Sequence, residues 1–409
     1  MGKNYSGVDV LSAAKKRISE TFEFFPHVYL SFSGGKDSTA MLHLAALEAR
    51  ERGERFGVLI VDLEAQYKRT IDHIEEMISI YSDVVDVYWV CLPIALRNAV
   101  SVYEPKWECW SPDAKSIWVR TPPESAITDH DFFPFFERGM EFEDFVPKFG
   151  EWYSGGSPTA CLVGIRTDES LNRFRAICSK KKKTFGGRHW TTKIWKTNVY
   201  NVYPVYDWRT KDIWTYHAKT GLCYNTLYDV MHKAGLSIHQ QRICQPYGDD
   251  QRKGLYLYHV IEPETWAKVV ARVSGVNSGS EFVQFNGNSS GQIRVSKPDG
   301  HTWKSYCEML LESMPEKMAE HYRNKIHVFL RWHEERGHSY GIPDEADPKE
   351  EAERKSPSWR RIAKMLLRND YWAKGLSFSQ TKHGYFYKRY MERIKKDRED
   401  RRRESRKFK

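Results

Sequence analysis

A pair of glycines between an apolar run and a helical run constrains this chain more than any other feature. Residues 28–32, Val28-Tyr29-Leu30-Ser31-Phe32, read as a short buried strand, and Gly34-Gly35 end it. From residue 38 to residue 50 the chain resumes with Ala, Leu and Met at helical spacing. The alternation continues: strand over 56–63, helix over 67–81, strand over 84–92, then a helical stretch from Pro93. A fourth strand over 159–165 precedes a helix over 168–179, and a fifth strand spans 199–205. An amphipathic helix over 8–24 leads in. Strands alternating with helices predict a doubly wound α/β fold, a parallel sheet covered on both faces.

A chain of 409 residues exceeds one small core, and its layout divides in two. Residues 1–260 carry the alternating pattern, with an insertion at about 103–156 that is crowded with Trp, Phe and Pro and reads as short helices and loops. Residues 261–409 form a largely helical extension, with a Gly/Ser/Asn-rich loop or hairpin over 274–291, helices over 302–335 and 358–367, and a surface linker over 337–356. Apolar residues are 40% and charged residues 29% of the chain, and no apolar run nears the roughly 18 residues of a membrane span. The N-terminus lacks the features of a secretory signal, so a cytoplasmic location is expected.

Seven cysteines without a Cys-x-x-Cys pair argue against a disulfide framework. Cys223, His232, His239 and Cys244 match no common metal spacing, and neither zinc nor an iron–sulfur cluster is expected. Much of the net charge of +10 sits in residues 388–409, where twelve Lys or Arg face five Asp or Glu. That tail reads either as a solvated helix or as an electrostatic arm for DNA or RNA.

The chemistry is concentrated at strand ends. A glycine pair at a strand-to-helix turn lets phosphates approach the backbone, and the amides opening the helix favour an anion. Ser33, Lys36 and Ser38 add hydroxyl and ammonium donors. The spacing is neither the Walker A nor the dinucleotide glycine pattern. After the fourth strand, Gly164 allows close approach, and Arg166 and Arg173 offer planar, permanently charged donors. Asp62 and Glu64, after the second strand, are candidates for ribose or magnesium, and Asp62 reads equally as a helix cap. In an open parallel sheet these three strand ends share one edge, where ligands bind. Two basic features stay open: Cys178 beside the Lys180-Lys181-Lys182-Lys183 run is either a spectator or a thiol with lowered pKa, and the run is either solvated or a mobile phosphate-binding loop.

Ser33-Gly34-Gly35-Lys36-Asp37-Ser38 resembles the PP-loop of the ATP pyrophosphatase superfamily. Gly164-Ile165-Arg166-Thr167-Asp168-Glu169-Ser170-Leu171-Asn172-Arg173 resembles an element of phosphoadenylyl-sulfate (PAPS) reductases. A third stretch, Tyr203-Pro204-Val205-Tyr206-Asp207-Trp208 through Trp214-Thr215-Tyr216, is similar to a segment of the same reductases; Thr210 is expected as a helix cap there, with Trp208 and Trp214 packing the helix on the sheet. The resemblance implies binding of an adenine nucleotide, ATP or PAPS, by Ser31, Ser33, Gly34, Gly35, Lys36, Asp37, Ser38, Asp62, Gly164, Ile165, Arg166, Glu169 and Arg173. Lys36, Asp37 and Arg166 would act in catalysis, and Asp37 would hold Mg²⁺. The Glu-Cys-Gly segment that carries the reductases' catalytic cysteine is absent, so their thiol mechanism is not implied. The whole layout resembles the immunoglobulin-binding regulator A group, which implies a ParB/sulfiredoxin-like protein partner. Three activities follow from the resemblance: α,β cleavage of ATP to adenylylate a substrate in sulfur or nucleic-acid metabolism, a PAPS-handling transferase or reductase, and a nucleotide-sensing regulator.

Overall fold

The computed structural model describes residues 7–98, 106–179, 181–248, 255–273, 276, 296–314, 316–367, 370 and 373–378. The chain divides into two compact units, the first reaching to Val273 and the second lying largely beyond it.

The first unit opens with α1 (Val10–Phe24), capped by Asp9, whose carboxylate accepts from the Leu11 and Ser12 amides. Then follow β1 (His27–Ser31), α2 (Lys36–Arg52), β2 (Phe56–Val61), α3 (Lys68–Ile80) and β3 (Val85–Val90). The next stretch holds β4 (Ala95–Arg97), β5 (Lys106–Glu108) and α4 (Phe142–Ser154). Then come β6 (Thr159–Val163), α5 (Leu171–Cys178), β7 (Thr191–Lys193), β8 (Val199–Val202), α6 (Thr210–Thr220), α7 (Leu227–Lys233), α8 (Tyr256–Ile261) and α9 (Pro263–Arg272). Six of the strands form one sheet in the order β3-β2-β1-β6-β8-β7, all parallel except β7, which runs antiparallel to β8 at the edge. The doubly wound parallel sheet is therefore present. Strand order reverses between β1 and β6, which pair in register from His27 with Thr159 to Ser31 with Val163, so the ligand crevice falls at their carboxyl ends.

Several expectations need correction. The stretch after Pro93 is not helical: Leu96 points inward while Arg97 is exposed, and this alternation suits the antiparallel pairing of β4 with β5. The insertion is more ordered than short helices and loops, because α4 runs 13 residues and its Phe145 and Phe149 are fully buried. Phe149 packs edge-on to Tyr29 at 5.3 Å between ring centroids, so the aromatic crowding covers the sheet. The first unit also extends past residue 260. Tyr258 stacks on Tyr67 at 3.7 Å, and Arg272 pairs with the buried Glu64, which anchors α8 and α9.

The second unit contains α10 (Trp303–Glu312), α11 (Glu316–Glu334), α12 (Pro348–Ala352) and α13 (Trp359–Leu367). The single helix expected over 302–335 is two, with Pro315, which lacks an amide proton, falling between them in the sequence. Tyr306, Cys307 and Leu310 pack with Tyr322, Ile326, Phe329, Ile362 and Leu366. The expected linker over 337–356 contains α12, whose buried Glu351 accepts from Ser358, Arg360 and Lys364. The segments 277–291 and 388–409 lie outside the described residues.

Candidate functional site

The loop between β1 and α2 is shaped by two close approaches. Gly34 has φ +68°, and a Cβ there would sit 2.9 Å from Ile74 Cγ1, so the turn needs glycine on both counts. A Cβ on Gly164 would lie 3.0 Å from the backbone of Asp37 and Ser38, which brings the end of β6 directly against the start of α2. Residues as far apart in sequence as Asp37 and Arg166, 129 positions, thus share one crevice.

Within it, Ser38 Oγ donates to the Gly35 carbonyl at 3.0 Å and lies 3.1 Å from Ser33 Oγ. Ser31 closes β1, and Ser33 is exposed at the loop. Lys36 is buried, its Nζ 3.2 Å from Asp37 Oδ2. Burial pulls the Lys36 ammonium below its usual pKa, Asp37 opposes this, and the positive charges of Arg166 and Arg242 reinforce it. Arg166, only 2% exposed, donates from Nε to Asp37 Oδ1 at 2.5 Å. Glu169 lies within 3.8 Å of Arg166 Nη2, accepts from the Arg166 amide at 3.3 Å and pairs with Arg173. Ile165 follows Gly164, its amide returning to the Val163 carbonyl.

The structure thus brings together the loop, Lys36, Asp37, Gly164, Arg166, Glu169 and Arg173. It treats the acids after β2 differently. Asp62 is 1% exposed; its carboxylate accepts from Trp89 Nε1 at 2.8 Å and from the Glu64 amide at 2.9 Å, and pairs with Arg120. It caps no helix, since α3 begins after Tyr67. Glu64 is fully buried and accepts from the Trp110 and Val119 amides and from Arg272. Both oxygens of Asp37 are likewise engaged, one by Lys36 and one by Arg166. Among the described residues no three His, Cys, Asp or Glu side chains gather as a metal-holding group.

Other residues at the site were not anticipated. Asn225, fully buried, donates to the Gly34 carbonyl at 3.0 Å and to Thr70 Oγ1 at 3.1 Å. The Tyr228 hydroxyl accepts from the Lys36 amide at 3.1 Å, and the Lys36 ammonium lies 5.1 Å from its ring centroid. Burial pushes the Tyr228 phenol pKa up, so it stays protonated. Thr210 is the first residue of α6 rather than its cap; Arg209 caps, and the Thr210 hydroxyl lies 3.4 Å from Arg166 Nη1. Arg242, on the loop after α7, donates to the Glu169 carbonyl at 2.8 Å. No sequence pattern marks these contacts, because partners such as Gly34 and Asn225 are 191 positions apart.

Comparison with known proteins agrees with this geometry. The model of the phosphoadenosine phosphosulfate reductase domain matches residues 27–234, and a domain of unknown function (DUF3440) matches residues 235–341. The chain belongs to the PAPS reductase-like family of PP-loop proteins. It is 47% identical over 395 residues to the uncharacterized protein YbdN of Escherichia coli, covering 96% of each chain. It is 23% identical over 200 residues to the uncharacterized protein MJ0973 of Methanocaldococcus jannaschii, spanning 49% of this chain and 38% of that one. Solved structures with some likeness include the PAPS reductase of Candida auris, at TM-score 0.33 and 15% identity over 56% of this chain and 95% of that one. The U34-tRNA thiolase NcsA of Methanococcus maripaludis gives TM-score 0.31 and 13% identity over 76% and 91%. No helix among the described residues is long and apolar enough to cross a membrane.

Proposed function

We propose that this protein binds ATP in the crevice between the ends of β1 and β6 and cleaves it between the α and β phosphates. The supporting observation is the convergence of the loop, the opening turn of α2 and the buried pair of Arg166 with Asp37 on one point of the sheet edge. In the proposed reaction an acceptor oxygen attacks the α-phosphorus, the bridging bond to the β-phosphate breaks, and pyrophosphate leaves with the electron pair. The acceptor gives up its proton and retains the adenylyl group. The acceptor belongs to sulfur or nucleic-acid metabolism.

Each residue has a physical task in this reading. The amides at the start of α2 and the Lys36 ammonium hold the phosphate chain. Asp37 orients Arg166 through Nε, and the rest of that guanidinium neutralises charge that builds in the transition state. Because Lys36 and Arg166 are both buried, their charge is little screened by water.

The test is α-labelled ATP incubated with the purified chain, alone and with tRNA or DNA, with AMP, ADP and pyrophosphate resolved. Pyrophosphate from the wild type is expected, with the label either on the adenylylated acceptor or, once water or a second nucleophile displaces it, as AMP; both are lost in Arg166→Gln. ADP as the product would refute the reading. The match to the PAPS reductase domain favours PAPS as the second nucleotide to try, with sulfite or sulfate release as its readout. Binding without turnover would leave a nucleotide-sensing regulator, working with a ParB/sulfiredoxin-like partner or through the basic tail on DNA or RNA.

A further inference from the structure

The loop after α7 carries a cation into the site from outside the segment that matches the reductase domain. Arg242 lies where the domain of unknown function is matched, yet its Nη2 is 2.8 Å from the carbonyl of Glu169, in the helix-opening element after β6. The same Glu169 accepts from the Arg166 amide and pairs with Arg173, and Arg166 in turn grips Asp37 beside Lys36. Three cations, Lys36, Arg166 and Arg173, are therefore linked through two carboxylates, Asp37 and Glu169, and a fourth, Arg242, joins them through the Glu169 main-chain carbonyl.

An excess of positive charge gathered around a partly buried lysine is unfavourable by itself, since like charges held together in a poorly screened place repel. Arg242 contributes to the lowering of the Lys36 pKa, which is the signature of that repulsion. A polyanion relieves it. Arg242 is exposed while Lys36 and Arg166 are buried, so the cations run from the crevice outward. The arrangement suits an anion that enters along this line and carries more than one negative group. A planar guanidinium is the side chain best fitted to such an oxygen cluster.

We infer that Arg242 is a ligand-binding residue for the β and γ phosphates of ATP, and so for the departing pyrophosphate. This rests on the proposed ATP reading and adds to it a site shared between the two family segments: the reductase-like part supplies the loop, Lys36 and Arg166, and the following segment supplies the outer contact to the leaving group.

Calorimetric titration of the full chain with ATP, inorganic pyrophosphate and AMP tests this. In Arg242→Gln, ATP and pyrophosphate should bind about 10- to 100-fold more weakly, as the loss of a charge-assisted hydrogen bond gives, while AMP stays within about twofold. Arg242→Lys, which keeps the charge without the planar fork, should fall between Arg242→Gln and the wild type for pyrophosphate, and it serves as the informative variant if Arg242→Gln does not fold. Equal loss for all three ligands would make Arg242 a tether of the loop and overturn the inference. Unchanged pyrophosphate affinity would overturn it as well. A wild type that binds ATP and pyrophosphate, with indifferent Arg242 variants, would remove this inference alone; a wild type blind to all three ligands would remove the ATP reading with it.

Discussion

Replacing Gly164 with alanine asks whether the end of β6 and the start of α2 are in contact through backbone. The added methyl would meet the carbonyl carbon and oxygen of Asp37 and the amide nitrogen of Ser38, each at 3.0 Å, where ordinary contact begins at 3.4 Å. All three are main-chain atoms at the start of α2, so no side chain can rotate away, and two elements must part by several tenths of an ångström. Overpacking of this kind costs about 1–3 kcal/mol. Alanine returns up to about 1 kcal/mol by restricting the unfolded chain, so a net loss of roughly 1–2 kcal/mol is expected. For a unit of this size that is a fall in Tm on the order of 2–8 °C, read by circular dichroism. Gly35→Ala is the companion: its methyl would meet only the Tyr228 hydroxyl at 3.4 Å and Ser33 Oγ at 3.5 Å. It should leave Tm within about 1 °C and, if the proposed ATP site is correct, reduce ATP binding, because the methyl would crowd the loop that is proposed to hold the phosphates. If Gly164→Ala melted with the wild type and bound ATP equally well, the direct apposition of the end of β6 and the start of α2 would be wrong.

Three further outcomes follow from named contacts. Asn225→Ala strips donors from the Gly34 carbonyl and Thr70 and an acceptor from the Leu227 amide, and should cost about 2–4 kcal/mol in urea unfolding; a loss below about 0.5 kcal/mol would show that the loop does not depend on it. Arg120→Met leaves the Asp62 carboxylate buried without its ion pair and should cost about 3–5 kcal/mol, with much of that recovered in Arg120→Met/Asp62→Leu; additive losses would refute the coupling. His43 and His73 are held neutral by burial, both with pKa lowered to about 4. The unfolded chain binds their protons first as pH falls below about 6.5, so this stability is full above that pH and lost between about 6.5 and 4. Each contributes a slope of up to about 1.4 kcal/mol per pH unit. His43→Phe should flatten the slope measured by urea unfolding between pH 6.5 and 5; an unchanged slope would refute the assignment.

What the sequence made legible was local. The five parallel strands of the sheet announced themselves because each is a short run bounded by glycine, proline or acid, and the two elements proposed to face the phosphates were each contiguous. The tertiary partners were not legible. Nothing near Tyr228 or Asn225 says that they meet Lys36 and Gly34, and Arg242 stood in a stretch notable only for its spaced cysteines and histidines. Asp62 and Glu64 misled for a related reason. Acids at a strand end fit ribose, metal or a cap, and only the fold shows that Arg120 and Arg272 already occupy them. The strands β4, β5 and β7, each three residues long, are too short for a period to emerge.

The anchoring of α8 and α9 bears on where this protein can be cut. A fragment ending at residue 234, where the match to the reductase domain stops, keeps every strand of the sheet and all of the loop. It also strands the Glu64 carboxylate in the interior without Arg272 and bares the face of Tyr67 on which Tyr258 rests. The smallest autonomous piece is therefore longer than the homologous one, and the opening part of the next segment acts as the keystone of the first.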